Sequence, residues 1–379
     1  MVEIVKVRSK KDIKKFLDFP LRLYKNCEYF APPLYMDEKS VFTDKNVYAK
    51  TCESEFFLAI KDGKVAGRIH GIIQKQSNEL RGETRARFTR FDSVNDEEVS
   101  SALFSALEKW AAEKGMTTVC GPLGFSDLER EGLLIDGFNE FSTFEEQYNF
   151  DYYPALVEKS GYEKEVDWVE YQLRAPDEKT AEKISRIAEK TLKINKLHLL
   201  KVKNKSEIFN KYSDGIFHCL DECYKDLYGT VPFTAEMKKQ MISQFKIMIN
   251  EEYIAIILDE NENVAAFALC LPGIAKSLRK SGGKLTPAGL IRLLKTVKRP
   301  EIIDLALIAV LPEYQARGVN AVALDHVIRM LRSGKIAYLE TNLNLETNEK
   351  VQSQWKYFDK RQHKRRRSYV KNLTSGGKK

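Results

Sequence analysis

One order of elements can be read twice along the 379 residues, and it restricts the fold more than any other feature. That order is strand, helices, hairpin, strand, helix, strand, helix, strand. In the first half, residues 9–24 suit a helix with Phe16, Leu17 and Leu21 on one face, and Pro20 predicts a kink or break. Segments 56–60 and 65–73, joined at Asp62-Gly63, read as a β-hairpin. Residues 85–91 alternate as a strand. A helix over 96–114 follows, with Val99, Leu103, Leu107 and Trp110 at helical spacing and Gly115 as its end. A short strand at 117–120, a loop-rich aromatic stretch at 121–149, a helix at 154–159 and a strand at 168–173 complete the half. After Arg174-Ala175-Pro176-Asp177 the order begins again. A helix spans 178–191, a strand 197–202, and helical stretches lie near 206–226 and 234–249. Then come a hairpin of 253–258 and 264–271, a strand at 303–310, and a helix at 318–332 stopped by Gly334. A strand at 336–340, a helix at 349–358 and a final strand near 367–370 close the chain. The repeat is one of architecture, not of residues. It predicts an α/β protein of two lobes, each a mixed, mostly antiparallel sheet flanked by helices. The expected boundaries are 1–175, a linker helix at 176–196, a second lobe at 197–373 and a disordered tail at 374–379.

A chain of this length exceeds what one core usually supports, which agrees with two lobes. Hydrophobic residues make up 43% and charged residues 31%, an ordinary globular balance. No apolar run reaches the roughly 18 to 20 residues of a membrane helix, and the first residues lack a signal-peptide core. The six cysteines are sparse, so reduced thiols and a cytoplasmic location are expected. The net charge of +8 is unevenly spread. Residues 1–180 carry 26 Lys+Arg against 33 Asp+Glu, and residues 181–379 carry 36 against 21. This asymmetry points to an anionic ligand on the C-terminal side, with nucleic acid as one competitor.

The most informative stretch is 305–330. A strand ends at Val310, Pro312 breaks it, and Gln315, Ala316, Arg317, Gly318, Val319, Asn320 and Ala321 lead into an amphipathic helix. Val319, Ala323, Val327 and Met330 mark that helix's buried face. The first N–H groups of a helix have no internal acceptors, and the helix dipole places about half a positive charge there. A pyrophosphate answers both demands. Gly318 permits close approach of the backbone, and Arg317 adds charge-assisted donors. The corresponding place in the first half is acidic instead. Asn95 or Asp96 caps a helix beginning Glu97-Glu98, whose carboxylates would repel a phosphate.

The V-x-P-x-Y-Q-x-x-G run after a strand resembles the acyl-CoA loop of the GNAT superfamily, usually written Q/R-x-x-G-x-G/A. Gln315 and Gly318 match its first two fixed positions, and Asn320 stands at the third. The whole chain is similar to tandem GNAT-like bacterial proteins. The resemblance implies an N-acyltransferase that moves an acyl group from acetyl-CoA or another acyl-CoA directly to a small-molecule or peptide amine. It implies backbone groups of Ile308, Ala309 and Val310 at the thioester, and Asn348 at the pantetheine arm. The first lobe would carry no CoA site of its own. An amine near pKa 10.4 lies about 3.4 units above neutrality, so losing its proton costs roughly 4.6 kcal/mol and needs an acceptor. Asp304 and Glu340 are the candidate bases, against the reading of ordinary strand-end carboxylates. The family's acid is a tyrosine seven residues past the asparagine. That position holds Trp355 here, which leaves Tyr357, two residues on, as the candidate. A non-catalytic acyl-CoA sensor and an aminoacyl-tRNA-dependent transferase are the alternatives.

Residues 276–299 contain eight basic side chains and no acid. Thr286-Pro287 caps a helix there, with Leu290, Leu294 and Val297 predicted on one face and Arg292, Lys295 and Arg299 on the other. The insert suits a cover for CoA phosphates, an anionic surface or a solvated face. The run 360–367, KRQHKRRR, reads as a basic strand near CoA's 3′-phosphate or a solvated edge, with nucleic acid as the alternative. His218, Cys219 and Cys223 lack a second ligand pair, so no metal is expected. Gly63, Gly67 and Gly71 are hairpin punctuation. The loop 121–137, with Phe125, Asp127, Glu129 and Glu131, suits either a cationic acceptor or a contact between lobes.

Overall fold

The computed structural model describes residues 1–373, and the predicted tail at 374–379 lies outside them. The strands are β1 (Val2–Lys6), β2 (Cys52–Lys61), β3 (Lys64–Gln74), β4 (Arg85–Ser93), β5 (Thr118–Gly121), β6 (Leu133–Asp136) and β7 (Glu163–Arg174) in the first half. The second half supplies β8 (His198–Leu199), β9 (Ile254–Leu258), β10 (Val264–Pro272), β11 (Ile302–Val310), β12 (Tyr338–Thr341), β13 (Asn344–Leu345) and β14 (Asp359–Asn372). They form one sheet ordered β1-β2-β3-β4-β5-β14-β7-β12-β11-β10-β9-β8, with β6 on β14 and β13 on β7. Most pairs are antiparallel, and β4–β5 and β11–β12 are parallel.

The two halves exchange their last strands. β7 ends the first half but pairs with β12 through Leu339↔Leu173 and Glu340↔Gln172. β14 ends the second half but pairs with β5 over Tyr369↔Gly121 to Asn372↔Thr118, and with β7 along most of its length. The basic run is therefore an interior strand of fourteen residues, not a solvated edge or a closing strand confined to 367–370.

Helices flank the sheet where the sequence places apolar periods. Helix Glu97–Glu113 buries Val99, Leu103, Leu107 and Trp110. It seats closely because β3 carries glycines beneath it. A Cβ at Gly67 would meet Leu103 Cδ1 at 2.8 Å, and one at Gly71 would strike Leu107 and Trp110. Helix Lys10–Leu23 runs through Pro20 without ending there. Helix Glu178–Ile194, between the halves, packs on helix Asn320–Arg332, whose buried side includes Ala323, Val327 and Met330. The predicted helix at 349–358 is instead a single turn, Glu349–Gln352, followed by a 3₁₀ segment, Ser353–Tyr357. Among the described residues no helix is long and apolar enough to cross a membrane.

Candidate functional site

The parallel pairing of β11 with β12 runs from Ile302↔Tyr338 to Leu305↔Thr341 and stops. β11 continues to Val310 against β10, while the chain after Thr341 turns to β7 through Asn344↔Val169. The two strands thus splay apart, leaving one edge of β11 from Ala306 to Val310 without a strand partner. Ile308 presents both backbone groups to this opening. The Tyr224 hydroxyl donates to its carbonyl at 3.0 Å and accepts from its N–H at 3.3 Å. The Val310 carbonyl accepts from Gln315 Nε2 at 3.0 Å and from the Cys223 thiol at 3.2 Å. Ala309 points the other way, paired with Phe267 of β10.

Beyond the splay, Pro312–Tyr314 forms a 3₁₀ turn and the helix begins at Asn320. Ala316 and Gly318 adopt φ of 58° and 81°, the left-handed conformation. Among the described residues no acceptor faces the N–H groups of Ala316, Arg317, Gly318, Val319 and Asn320. Val319 and Ala321 are buried beneath the loop, and Arg317 is exposed with its guanidinium over the Tyr314 ring. Gly318 lies against helix Glu178–Ile194, where a Cβ would meet Thr191 Oγ1 at 2.9 Å. This loop has the free N–H donors that a pyrophosphate requires. In the first half, Asp96 fills the matching helix end by accepting from Glu98 N–H, and Lys61 binds its carboxylate. The matching stretch of β4 is closed by its own chain, with Leu123 N–H and Gln147 Nε2 donating to the Phe88 and Phe91 carbonyls.

Asp304 and Glu340 face each other in register at the base of the splay, and their environments differ. Burial alone would raise Glu340, but Lys364 Nζ at 3.0 Å and His363 Nε2 at 3.2 Å pull it down to about 2. Asp304 forms no ion pair with a described cation, and its Oδ2 has no partner. Burial, with the charges of Glu145 and Glu340, pushes it well above the usual carboxylate range. Asp304 is therefore shifted toward its protonated form while Glu340 is favoured as the ion. The exchanged strand makes this difference. Lys364 also reaches Glu170 at 3.3 Å, and Arg366 binds Glu170 at 2.6 Å and the Gln147 carbonyl. Glu170, Glu340 and His363 group their donor atoms within 4.8 Å, but Lys364 already bridges both carboxylates.

From Asp304 a file of carboxyl groups leads into the loop between β5 and β7. Glu145 is raised to about 7, Glu146 to about 8 and Asp127 to about 6, each chiefly by burial. Burial, with Asp127 and Glu146 nearby, pushes Glu131 well above the usual range. No ion pair joins any of these five groups to a described cation. Asp127 Oδ1, Glu131 Oε1 and Glu146 Oε2 are buried without hydrogen-bond partners, and so are Arg366 Nη2 and Thr143 Oγ1. Leu128 and Phe144 of the same loop pack on the core that holds Ala306, Leu307 and Ala309 of β11. The loop of the first half thus covers the splay of the second. Asp127, Glu129 and Glu131 stood out in the sequence, whereas Glu145 and Glu146 did not.

Two expected residues fall elsewhere. Asn348 uses its side-chain oxygen to cap the turn at Glu349, accepting from Val351 N–H at 3.2 Å. Tyr357 packs against the core around Leu305 and Leu339, with Lys356 Nζ over its ring. Tyr224 was not distinguishable in sequence from any helix-terminal tyrosine, yet its hydroxyl meets both backbone groups of Ile308 at the splay.

The parallel splayed strands, the loop with unpartnered N–H groups and the duplicated halves define a tandem GNAT fold. The chain aligns with a tandem GNAT protein from the clavulanic acid biosynthesis pathway at a TM-score of 0.56 and 11% identity, over 98% of this chain and 99% of that one. A GCN5-related glucosamine N-acetyltransferase region of a fungal multi-domain β-N-acetylglucosaminidase aligns at 0.55 and 10% identity, over 98% of this chain and 38% of that one. In sequence the chain is 26% identical over 371 residues to Protein YghO of Escherichia coli K12, covering 96% of this chain and 94% of that protein. It is 25% identical over 301 residues to a bacterial ceramide synthase of Caulobacter vibrioides, covering 78% and 77%. No protein-family profile matches the chain.

Proposed function

We propose that the protein is an acyl-CoA-dependent N-acyltransferase whose second half binds the thioester and whose first half lends the acceptor pocket. The observation that carries this is the juxtaposition of an empty-handed N–H loop, Ala316 to Asn320, with a strand splay that ends at Asp304 and Glu340. The diphosphate of CoA would take the loop's donors, with Arg317 adding charge. The pantetheine arm would replace the Tyr224 hydroxyl at the backbone of Ile308. The first half offers no second CoA site, since Asp96 and its own loop fill the matching positions.

The unpaired carboxyl file supplies the acceptor side. An entering ammonium group would depress the raised carboxyl pKa values, drawing Glu145 or Glu146 into the ionised form needed to take its proton. Attack of the neutral amine forms the amide bond and breaks the C–S bond. Tyr224, kept protonated by burial, can donate to the departing sulfur. The ceramide synthase relative favours a long-chain amino alcohol as the acceptor and a fatty acyl donor over acetyl.

Release of free CoA, measured with acetyl-CoA and longer acyl-CoAs against polyamines and long-chain amino alcohols, tests this reading. Turnover is expected with one donor–acceptor pair. Arg317→Glu should raise the calorimetric Kd for acyl-CoA at least about tenfold. Tyr224→Phe should lower kcat about 10²-fold with that Kd unchanged. Binding without turnover of any amine would identify a sensor instead. Absence of acyl-CoA binding, together with salt-dependent retention of aminoacyl-tRNA, would identify a tRNA-dependent transferase.

A further inference from the structure

The insert between β10 and β11 has two helices, Ala275–Ser281 and Pro287–Lys298. Its packing differs from the pattern expected at Leu290 and Leu294. The helix Pro287–Lys298 buries Gly289, Leu293 and Val297, and turns Leu290, Ile291 and Leu294 outward at 39%, 58% and 48% exposure. Spacings of one, three and four residues place these three on one face. Large apolar side chains so exposed are few in this molecule, and no other described helix carries three.

The insert's own charges, over residues 276–299, are all basic. Lys280, Lys284, Lys295, Lys298 and Arg299 are exposed, and none has an ion-pair partner among the described residues. The first half extends the same surface. Tyr35 N–H donates to the Gly283 carbonyl at 2.9 Å, and Arg279 donates to the Cys27 carbonyl at 3.3 Å. Lys284 then faces Lys11, Lys14, Lys15, Arg22 and Lys25 across a cleft of about 480 Å³ floored by Leu21 and Val65, where Asp18, paired with Lys14, is the one acid among the lining residues. A solvated face needs no exposed leucines. A nucleic-acid surface would be expected to offer aromatic rings for stacking, and no exposed Phe, Tyr or Trp lies on this helix.

We propose that this face docks the protein on an anionic phospholipid bilayer. Leu290, Ile291 and Leu294 enter the headgroup–acyl boundary, and the surrounding lysines and arginines bind lipid phosphates. Leu293 and Val297, on the helix's other side, share a core with Ala306, Leu307 and Ala309 of β11. The docking face is thus built on the same core as the splayed strand. The proposal does not depend on the reaction and is read without turnover.

Co-sedimentation of the full chain with vesicles of phosphatidylcholine, alone and mixed with phosphatidylglycerol, tests it at low and high salt. Binding is expected only to the anionic vesicles and should weaken with salt. The exposed triple variant Leu290→Ser/Ile291→Ser/Leu294→Ser and the charge variant Lys295→Glu/Lys298→Glu should each reduce partitioning at least about tenfold. If the serine variant binds as wild type does, the face is a general polyanion site and the proposal fails. It also fails if no vesicle binds, or if the serine variant only converts a dimer to a monomer in analytical ultracentrifugation.

Discussion

Three buried carboxyl groups, Glu131, Glu146 and Asp304, and two half-buried ones, Asp127 and Glu145, have no counter-ion, and at Glu146 the cost to the folded chain can be measured. Burying an ionised carboxylate unpaired is far costlier than burying its neutral form, so burial shifts each of these groups toward its protonated form. A carboxyl whose folded pKa exceeds its unfolded value stabilises the fold fully below the unfolded value. That contribution is lost as pH rises through the folded value. For Asp127, Glu145 and Glu146 the losses fall near 6, 7 and 8. Glu340, held near 2, acts oppositely, lending stability that is full above the ordinary carboxylate range and lost as pH falls toward 2. The melting temperature should therefore decline from about pH 5 to about pH 9. Glu146→Gln removes one titrating group while keeping its shape, so its melting temperature should exceed that of wild type near pH 8 and its profile should be flatter. Parallel profiles for the two proteins would show that Glu146 is charged in the folded state and paired in some other way.

At the scale of elements, β14 decides the site, and it is the element the sequence disclosed least. Six basic residues in eight, at 360–367, carry the composition of an exposed edge. Lys364 and Arg366 are nonetheless 1% and 0% exposed. What buries them is Glu170 on β7, nearly two hundred residues earlier, and no local pattern announces a partner at that distance. Arg365 and Arg367 face the other way and share Asp167. By contrast, the strand at 303–310, the Gln315–Gly318 turn and the amphipathic helix after it were legible, because each depends on neighbours in sequence. The same limit explains Leu290 and Leu294. The helix at 287–298 was evident from its cap and period, but its buried stripe is set by Gly289 and Leu293, whose seat is the core behind β10 and β11. If the ion pairs of β14 hold the sheet together, Arg366→Ala should lower unfolding free energy by about 3–5 kcal/mol, since it strips Glu170 of one cation and the Gln147 carbonyl of its donor. Arg365→Ala, at a third exposure, should cost about 1 kcal/mol or less. Urea unfolding of both variants gives the comparison, and equal losses would place the burden on strand pairing alone.

For the whole molecule, strand exchange changes what the two halves are. A duplicated chain whose copies each closed their own sheet would unfold as two units joined by the helix Glu178–Ile194. Here β5 of the first half finds its neighbour in β14, and β12 of the second finds its neighbour in β7. Removing either half leaves the other with an open interior edge, a row of unpaired N–H and C=O groups that favours aggregation over folding. The loop between β5 and β7 adds to this coupling, because Leu128 and Phe144 of the first half complete the core around β11. The two halves should therefore unfold together. Trp110 is buried under the first half's hairpin and Trp355 in the core around Leu305 and Leu339, which makes them independent reporters. Variants retaining only one of these tryptophans should show coincident urea midpoints and equal m-values, as a single cooperative unit requires. A first-half midpoint lower than the second, with each m-value well below that of the whole, would mean that β7 and β14 part before either core melts.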